Sequence, residues 1–374
     1  MKICPTEAIR IHGGKAHIME HRCIDCGKCH ETCPTKAIYV KQDDFESIYK
    51  YEHSVALLPA VFLGQFQPEI RVSRIYAALK DLGFKHVFEV ESASAIYADI
   101  KHRYALDHMD DLPLISSFCP AIVRMIQIKY PSLVDNIIPV KAPLDISALY
   151  ALKTLQEKGI SREQIGLFYI TPCAAKIAAV KAPVGEERSV IDGVINMDSL
   201  YNRVYKKIKE QGHDYKEVKL PIAQLTSDSI LTSLTNGERR LSVSEHSLSI
   251  DGIDNSIEFL EKVESEEIED VEFLELRACD QSCPGGILTY NNRFLTCERM
   301  FARARYVAGK ERRGELTRAK EVEEEHDYLL DNIGVGEIES RAISLDSDIS
   351  KALEKLVKIN RLKKMLPQVD CGMC

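Results

Sequence analysis

The pattern of apolar and polar positions becomes regular about 54 residues into the chain. From there, short apolar segments typical of buried strands alternate with segments in which apolar residues recur at helical spacing. The predicted strands are residues 55–58, 86–90, 112–115, 165–170 and 193–197. The predicted helices are residues 73–82, 120–130, 174–180 and 199–209. Because strand and helix alternate, this part of the chain is predicted to have an α/β architecture with mainly parallel sheets.

Two segments interrupt this alternation because they are rich in charged residues. Residues 258–275 and 310–327 carry acidic or basic side chains at most positions. We interpret them as solvent-exposed helices or connecting segments, since a run of charges is usually a solvated face. An acidic binding face is the less favoured interpretation.

The composition narrows the functional class. The 374 residues include 57 Asp and Glu against 49 Lys and Arg, a net charge of −8, which does not favour a nucleic-acid or anionic-membrane surface. The longest apolar run, residues 55–63, is too short to span a bilayer and contains a proline. The chain has 12 cysteines and no signal-peptide pattern. We therefore expect a cytoplasmic protein whose thiols bind metal, because reduced cytosolic thiols rarely form disulfides.

Five cysteines lie within the first 33 residues, and four of them follow a specific spacing. Cys23, Cys26, Cys29 and Cys33, with Pro34 after the last, form the C-x2-C-x2-C-x3-C-P run of bacterial ferredoxins. Three thiolates in one tight loop can bind three corners of a single 4Fe–4S cluster, while the fourth cysteine faces a second cluster. A zinc knuckle is the less favoured alternative, because zinc sites seldom place four thiols this close together.

The N-terminal segment also contains an internal repeat. Cys4 and Cys33 each begin a Cys-Pro-Thr-x-Ala-Ile sequence, and residues 9–18 between them are predicted to form a short hairpin. The arrangement is similar to two-cluster ferredoxins, although the first three cysteines of the first half would precede Met1. We therefore expect Cys4 to complete the cluster of the cysteines at 23, 26 and 29, with Cys33 left without its natural companions.

Four more cysteines lie near the ends of predicted strands. Cys119 and Cys173 each follow a strand and precede a helix, so each thiol is expected at a helix N-terminus, where the dipole stabilises a thiolate. Cys279 and Cys283 are four residues apart, which places two side chains on the same side of a helical turn. The two glycines that follow let the backbone pass close to something bulky. Because open α/β sheets build sites at the C-terminal ends of their strands, these four thiols can converge.

Taken in order, these segments resemble the three signature motifs of the di-iron (FeFe) hydrogenases. The family patterns are Thr-Ser-Cys-Cys-Pro, Met-Pro-Cys-x-x-Lys and Ala-Cys-x-x-x-Cys followed by glycines, and residues 116–120, 171–176 and 278–286 match them here. Residues 141–143 also match a Lys-Ser-Pro element of the family. The resemblance covers roughly residues 1–310. It implies a two-lobed, hydrogenase-like α/β domain with mainly parallel sheets, preceded by a small ferredoxin-like α+β iron–sulfur module.

The resemblance also implies an H-cluster, in which one cysteine sulfur joins a 4Fe–4S cubane to a di-iron unit with CO, CN⁻ and a bridging dithiolate. It assigns the cubane to Cys119, Cys173, Cys279 and Cys283, with Cys283 as the bridging ligand. Lys176 would donate a hydrogen bond to a cyanide of the di-iron unit. The other positions that match cofactor contacts are Pro59, Ala60, Pro172, Gly285 and Gly286.

Several positions depart from the family pattern. Phe118 occupies the place of the cysteine that delivers protons to the di-iron unit, and a phenyl ring cannot exchange a proton. Ile138 and Ala179 stand where the family has a relay serine and a relay glutamate. Leu144 and Thr171 replace a glutamine and a methionine of the di-iron pocket. Since the metal ligands are retained and the proton carriers are missing, the chain is more similar to sensory-type members of the family.

These features lead to three functional hypotheses. In the first, the chain is an FeFe hydrogenase-like oxidoreductase that interconverts 2H⁺ + 2e⁻ and H₂ at low turnover, with electrons arriving through the N-terminal 4Fe–4S cluster. In the second, the same cofactor makes it a sensor of H₂ or of redox state. In the third, it resembles the non-catalytic 4Fe–4S assembly factors. Lys176 argues against the third, because without a cyanide a buried lysine would lack an anionic partner.

The hypotheses also define partners and domains. The expected partners are H₂ and protons, an electron-transfer partner such as ferredoxin or a signalling domain, and hydrogenase maturation proteins, with no nucleic acid. The predicted domains are a ferredoxin-like module with an incomplete first half (1–45), an H-cluster-binding domain (46–310) and a charged helical segment (311–374). That segment ends in Cys371 and Cys374, a partial iron–sulfur motif. A second or C-terminal 4Fe–4S cluster is therefore expected only if further segments are present. Cys297 is expected to be a free thiol.

Overall fold

The computed structural model describes residues 3–108, 112–212, 225–241, 246–268, 270–313, 332–342, 345–346 and 348–366. Its strands are β1 (Ile9–His12), β2 (Lys15–Ile18), β3 (His53–Leu58), β4 (His86–Glu89), β5 (Leu114–Ile115), β6 (Ile165–Thr171), β7 (Gly193–Asn196), β8 (Ser247–Asp251) and β9 (Phe273–Arg277). Its α-helices are α1 (Lys28–Thr32), α2 (Ala60–Gly64), α3 (Val72–Asp81), α4 (Ser94–Asp107), α5 (Pro120–Lys129), α6 (Pro143–Gln156), α7 (Ala174–Lys181), α8 (Met197–Gln211), α9 (Ser227–Leu231), α10 (Ile253–Glu264), α11 (Arg293–Arg312) and α12 (Ile349–Met365). The predicted alternation of strands and helices is confirmed.

Four strands form a parallel sheet in the order β4–β3–β6–β7. Alternate residues of the central strand β3 face opposite layers, as the two-residue period of a strand requires. Ala56 and Leu58 pack in a core that includes α2, α3, α8 and α11, whereas Val55 and Leu57 pack in a core that includes α6 and α7. Because helices cover both faces, β6 is buried along its whole length and is apolar at almost every position.

A second parallel sheet has the strand order β5–β9–β8. Leu274 and Leu276 of β9 pack with Ile122 and Ile126 of α5 and with Leu260 of α10. The two sheets with their covering helices form the two lobes of the expected α/β architecture.

One sequence prediction in this second lobe is wrong. Residues 258–264 belong to α10, but residues 273–275 are not solvent-exposed: Phe273, Leu274 and Glu275 are buried in β9. A buried strand can carry Glu275 because Arg277 lies on the same strand and lowers the cost of burying its charge.

The N-terminal module consists of the antiparallel hairpin β1–β2 and the short helix α1. It is docked against the second lobe by both apolar and ionic contacts. Ile24 is buried in the same core as α5 and α10, and ion pairs join Asp25 to Arg124 and Lys28 to Asp254. The module is therefore held in a fixed position next to the α/β domain.

The described part of the C-terminal segment is mostly exposed, but Ile333 is buried in the same apolar cluster as Phe118. Helix α12 has no buried residue, and the charged stretch 310–327 lies almost entirely outside the described residues. Helix α11 continues across the domain boundary predicted at residue 310, and that boundary stays a prediction. Among the described helices, none combines the length and the apolar character that crossing a membrane requires.

Candidate metal centres

The interior cysteines follow the C-terminal ends of strands from both sheets. Cys173 follows β6, Cys119 follows β5, and Cys279 follows β9. The C-terminal ends of parallel strands lie along one edge of their sheet. In each of the two sheets, the loops that carry these cysteines therefore emerge from that edge. Pro59 and Ala60 follow β3 in the same way.

Cys119 and Cys173 are the N-cap residues of α5 and α7, as predicted. Pro120 takes the first position of α5, where its missing N–H costs nothing. Burial nevertheless raises the pKa of the Cys173 thiol to about 12, and the charge of Cys283 contributes to the rise. A metal centre that binds this sulfur must therefore displace its proton.

Cys279 and Cys283 do not lie on the helical turn that their spacing predicts. Gln281 and Ser282 between them have φ angles of 63° and 56°, in the left-handed region. Such residues cannot continue a right-handed helix, so the prediction of a helical turn is wrong. The Ser282 hydroxyl donates to a carboxylate oxygen of Asp251 at 2.9 Å and ties the turn to the end of β8.

Gly285 and Gly286 allow close backbone packing, and their expected closeness to a cofactor stays a prediction. A Cβ atom at Gly285 would lie 1.9 Å from the carbonyl oxygen of Asp280. A Cβ atom at Gly286 would lie 2.4 Å from the carbonyl oxygen of Pro172. The glycines therefore let the third motif pack directly against the loop after β6, which brings loops of the two sheets into contact.

The four interior thiols are close enough for their charges to interact. The pKa of the Cys279 thiol is raised well above its ordinary value, first by burial and then by the charges of Cys173, Cys119 and Cys283. Three separate segments thus contribute to one buried site. Four soft thiolates are the donor set that iron–sulfur cubanes use, so these residues fit such a cluster. Within the described ranges, no three Cys, His, Asp or Glu side chains are arranged as ligands of one metal ion.

Lys176 places a buried positive charge beside these thiols. Its ammonium lies 3.9 Å from Sγ of Cys283, and the residue is 8% exposed. Burial opposes its charge, but the nearby negative groups, first Cys283, raise the pKa of Lys176 overall. The charge of Lys176 also interacts with the carboxyl group of Asp145 on α6. Burial raises the pKa of that carboxyl group to about 6. A buried ammonium is stable only near negative charge, so this position fits an anionic ligand next to Cys283.

Phe118 is buried between charged side chains. Its ring centre lies 4.7 Å from Nζ of Lys176 and 3.6 Å from Cζ of Arg277, both within the range of cation–π attraction. Its backbone N–H donates to the hydroxyl of Ser116 at 3.1 Å. The ring is therefore fixed beside the site, and it offers no exchangeable proton there.

Sequence reasoning missed a buried charge network next to Phe118. Glu238 accepts from Nζ of Lys101 at 2.7 Å and forms an ion pair with Nη2 of Arg277 at 2.7 Å, and Arg277 also lies 3.5 Å from Glu275. The cations hold the pKa of Glu238 at about 2 against the effect of burial. Arg277 could have been found, since it is a charged residue at the end of an apolar strand, two positions before Cys279. Glu238 lies in a loop far away in the sequence and had no such signal.

A second missed residue is the buried carboxyl of Glu91. It accepts hydrogen bonds from the backbone N–H of Ala60 and from the hydroxyl of Ser233, both at 2.7 Å. Burial raises the pKa of Glu91 to about 7. The carbonyl of Ser233 accepts from the N–H of Cys283 at 3.2 Å, so Glu91 connects the Pro59–Ala60 loop to the third motif.

The N-terminal cysteines surround a separate cavity of about 240 Å³. Its wall includes Cys4 together with Cys23, Cys26 and Cys29, and on the other side residues of α7. Burial raises the pKa of Cys26 to about 11. The structure thus brings together the four cysteines that the repeat assigns to one cluster.

Cys33 lies apart from this cavity and is not among the residues that line it. The hydroxyl of Thr35, 3.6 Å away, and neighbouring backbone N–H groups lower the pKa of its thiol to about 7.

Comparison with known families identifies the chain. The model of the iron only hydrogenase large subunit, C-terminal domain, matches residues 52–239, half of the sequence. The chain belongs to this family. A second model, that of the LdpA Fe–S cluster-binding domain, matches residues 1–43. These matches support the hydrogenase class for the main part of the chain and iron–sulfur binding for its N-terminal part.

Curated relatives of this hydrogenase-family chain match it over only part of its length. The NADP-reducing hydrogenase subunit HndD of Solidesulfovibrio fructosivorans is 26% identical over 179 residues, 41% of this chain and 30% of the relative. Iron hydrogenase 1 of Clostridium pasteurianum is 25% identical over 157 residues, 41% of this chain and 26% of the relative. A ferredoxin of Saccharopolyspora erythraea is 40% identical over 40 residues, 11% of this chain and 38% of the relative. The chain spans less than a third of the length of the two hydrogenases.

Solved structures support the fold. A variant of the FeFe-hydrogenase HydA1 from Chlamydomonas reinhardtii gives a TM-score of 0.58 at 16% identity, covering 78% of this chain and 95% of that chain. The HydA(deltaEFG) structure, described as revealing stepwise H-cluster assembly, gives a TM-score of 0.56 at 16% identity with the same coverage. The hydrogenase-like α/β architecture predicted from the motifs is confirmed.

The departures from the family pattern can now be placed in the fold of this family member. Ile138 is buried in the same apolar cluster as Phe118, and Leu144 is buried at the start of α6. The hydroxyl of Thr171 donates to the carbonyl of Cys173 at 2.8 Å. Ala179 is half-buried on α7. The functional meaning of these substitutions stays a prediction.

Cys297 lies outside both four-cysteine sites. Cys297 is buried on α11, with Sγ 3.8 Å from the side-chain oxygen of Gln281, and is a free thiol in the structure. Cys371 and Cys374 lie outside the described residues.

Proposed function

We propose that this hydrogenase-family chain carries an H-cluster and interconverts protons and H₂ at low turnover. The observation that carries the proposal is the buried ammonium of Lys176, 3.9 Å from Sγ of Cys283 and beside the other interior thiols. A structural cubane needs no such cation, whereas a cyanide ligand needs a donor of this kind. This observation disfavours an assembly-factor-like protein without a di-iron unit.

Each interior residue has a definite part in this proposal. The cubane would be held by Cys119, Cys173, Cys279 and Cys283, with Cys283 also holding the di-iron unit. When bound, the di-iron unit supplies an open iron site at which protons and electrons combine. Lys176 donates a hydrogen bond to a cyanide, and the buried ring of Phe118 keeps water and protons away from the site.

The N-terminal cluster would supply electrons to this centre. Helix α7 begins directly after Cys173, and Ala174, Ile177 and Ala178 of the same helix line the N-terminal cavity. The charge of Cys26 also contributes to the raised pKa of Cys279, so the two sites are electrostatic neighbours. We propose that an electron carrier such as ferredoxin, or a signalling domain, delivers or receives electrons at this module in the cytoplasm.

A sensor of H₂ or of redox state is the second candidate, and Phe118 favours it. A signalling protein needs to bind H₂ but does not need rapid proton delivery. A phenyl ring that is buried between Lys176 and Arg277 would slow proton transfer without removing a metal ligand.

Infrared spectroscopy tests the proposal directly. We expect protein that is produced together with hydrogenase maturation proteins to show bands of iron-bound CO and CN⁻. Replacement of Lys176 by Met should remove or shift the CN⁻ bands, because the only buried ammonium next to Cys283 in the described part of the chain is lost. Lys181→Met is the matched control, since Lys181 lies on the same helix but is half exposed. Full iron–sulfur loading without CO or CN⁻ bands would contradict the proposal.

A further inference from the structure

Arg277 is a second buried cation at the interior site. It is 2% exposed, and its Nη2 group contacts Glu238 and Glu275. The two other nitrogens, Nε and Nη1, have no hydrogen-bond partner in the described part of the chain. Buried N–H groups without an acceptor are rare, because desolvation is then uncompensated. An acceptor that the polypeptide does not provide is therefore expected at this position.

The surrounding charges hold Arg277 in place without using these two nitrogens. Lys101 and Arg277 balance Glu238 and Glu275, so the network as a whole is neutral. Glu238 is also engaged by the hydroxyl of Ser116, at 2.7 and 2.9 Å from its two oxygens. The carboxylates thus fix the guanidinium through Nη2 and leave Nε and Nη1 available for another group.

The interior thiols lie close to this network, next to Phe118 and Lys176. The guanidinium carbon lies 3.6 Å from the ring centre of Phe118, the residue directly before Cys119. Burial opposes the charge of Arg277, but Glu238, Glu275, Cys283 and Cys119 raise its pKa overall. Lys176, the other cation over the Phe118 ring, also interacts with Cys283. Two fixed cations therefore face the same sulfur-rich site.

We propose that Arg277 is a positioning residue for the iron–sulfur centre of Cys119 and Cys283: its Nε and Nη1 groups donate to anionic atoms of that centre, and its charge makes the centre easier to reduce. Hydrogen bonds and nearby positive charge are known to raise the reduction potentials of iron–sulfur clusters. The inference rests on the proposed function only as far as the cubane, since it does not require the di-iron unit.

The test uses the full chain produced without maturation proteins, which carries 4Fe–4S clusters but no di-iron unit. Dithionite supplies one electron per cluster, and electron paramagnetic resonance follows the reduced clusters during a redox titration. The variant Arg277→Met with Glu275→Gln removes one cation and one carboxylate, so the buried network stays neutral. We expect the equilibrium constant for one-electron reduction of its interior cluster to fall at least tenfold. This corresponds to a shift of the reduction potential by about 59 mV or more to the negative side.

The matched control is Lys101→Met with Glu275→Gln, which removes the same charges from the same network but leaves Arg277. In this control we expect the equilibrium constant for reduction of the interior cluster to change less than threefold. The N-terminal cluster serves as the internal reference in both proteins. Equal shifts in the two double variants would overturn the proposal, because the effect would then belong to the network and not to Arg277. Absence of CO and CN⁻ bands after maturation would refute the H-cluster but leave this result standing.

Arg277→Lys separates charge from hydrogen bonding and gives an answer even if the double variant loses its cluster. Lysine keeps the charge but has neither Nε nor Nη1 of the guanidinium. We expect a smaller change in potential than in the methionine variant, together with an altered resonance spectrum of the reduced cluster. A potential and a spectrum that both match the wild type would overturn the hydrogen-bonding role.

Discussion

The two four-cysteine sites of this molecule use the same donors in different surroundings. The N-terminal cysteines are close together in sequence and line a cavity between the module and α7. The cysteines of both sites are partly exposed. The interior cysteines come from loops of two sheets and are accompanied by Lys176 and Arg277, both buried. The donor set therefore does not distinguish the sites. Among the described residues, the interior site has two buried cations, whereas the N-terminal site has one, Arg124, which is paired with Asp25.

This difference suggests distinct tasks. The buried arginine of the N-terminal site is already paired with Asp25, which suits a cluster that passes electrons on without a further anionic ligand. The two buried cations of the interior site are suited to stabilise a more negatively charged group, because charges interact more strongly away from water. Burial raises the pKa of thiols in both sites, including Cys23 and Cys279, so both sets are costly to ionise unless a metal centre is bound.

Replacing one cysteine ligand should abolish the cluster of its own site and leave the other cluster in place. This is the largest expected effect. Cys279→Ser should abolish the interior cluster and all H₂ turnover while the N-terminal cluster remains. Cys26→Ser should abolish the N-terminal cluster while the interior cluster remains. Iron and sulfide analysis should show a loss of about half of the cluster iron in each variant. Loss of both clusters on either change, with the fold intact by circular dichroism, would contradict two separate sites.

Replacement of Phe118 tests whether the interior site is slow because it lacks a proton carrier. We expect Phe118→Cys to raise H₂ turnover by about 10²-fold, the usual lower range for a positioned acid or base. Phe118→Leu is the control, since it changes the size of the side chain but provides no proton. Wild-type turnover as rapid as that of Phe118→Cys would show that another route, such as one through Glu91, already delivers protons.

A smaller effect is expected where the module contacts the α/β domain. Gly27 has φ of 78°, and a Cβ atom there would lie 2.3 Å from Cδ1 of Ile287. Gly27→Ala should therefore destabilise the docked module by about 2–4 kcal/mol, through backbone strain and overpacking.

The matched control for this change is Gly13→Ala in the hairpin. Gly13 has φ of 56°, but a Cβ atom there would have no neighbour within 4 Å, so only the backbone strain of about 1–2 kcal/mol should remain. Denaturant titration that follows the visible absorbance of the clusters gives both values. Equal destabilisation by the two changes would show that the Ile287 contact does not hold the module.

Much of the fold could be predicted because the apolar period is clear where an element is buried on one or both faces. Strand β6 and helices α5 and α7 lie within one residue of their predicted bounds. Helix α4 was missed because its apolar residues do not form a single stripe, and α11 was missed because many of its positions are charged. Strand β9 was mistaken for a charged connection, since the spacing of charges does not reveal that Arg277 and the backbone N–H of Arg239 compensate Glu275.

The site was predictable to a similar extent. The motifs indicated the cysteines and Lys176, because ligand spacing and helix starts are local properties of the chain. Glu91 and Glu238 had no local signal, and their roles depend on Ser233, Ser116 and other residues distant in sequence. The turn at Gln281 and Ser282 was mistaken for helix because spacing alone does not reveal a left-handed backbone.

The sequence by itself determined the alternating architecture, the two groups of thiols and the loss of the usual proton carrier at Phe118, since each depends on residue type and short spacing. Only the tertiary structure decided that Lys176 and Arg277 both lie over the Phe118 ring and that a buried carboxyl supports the Ala60 loop. The physical reason is that burial and electrostatic contact depend on which segments meet in space. The charge of Lys176, for example, is supported by Cys283, which is 107 residues away in the chain.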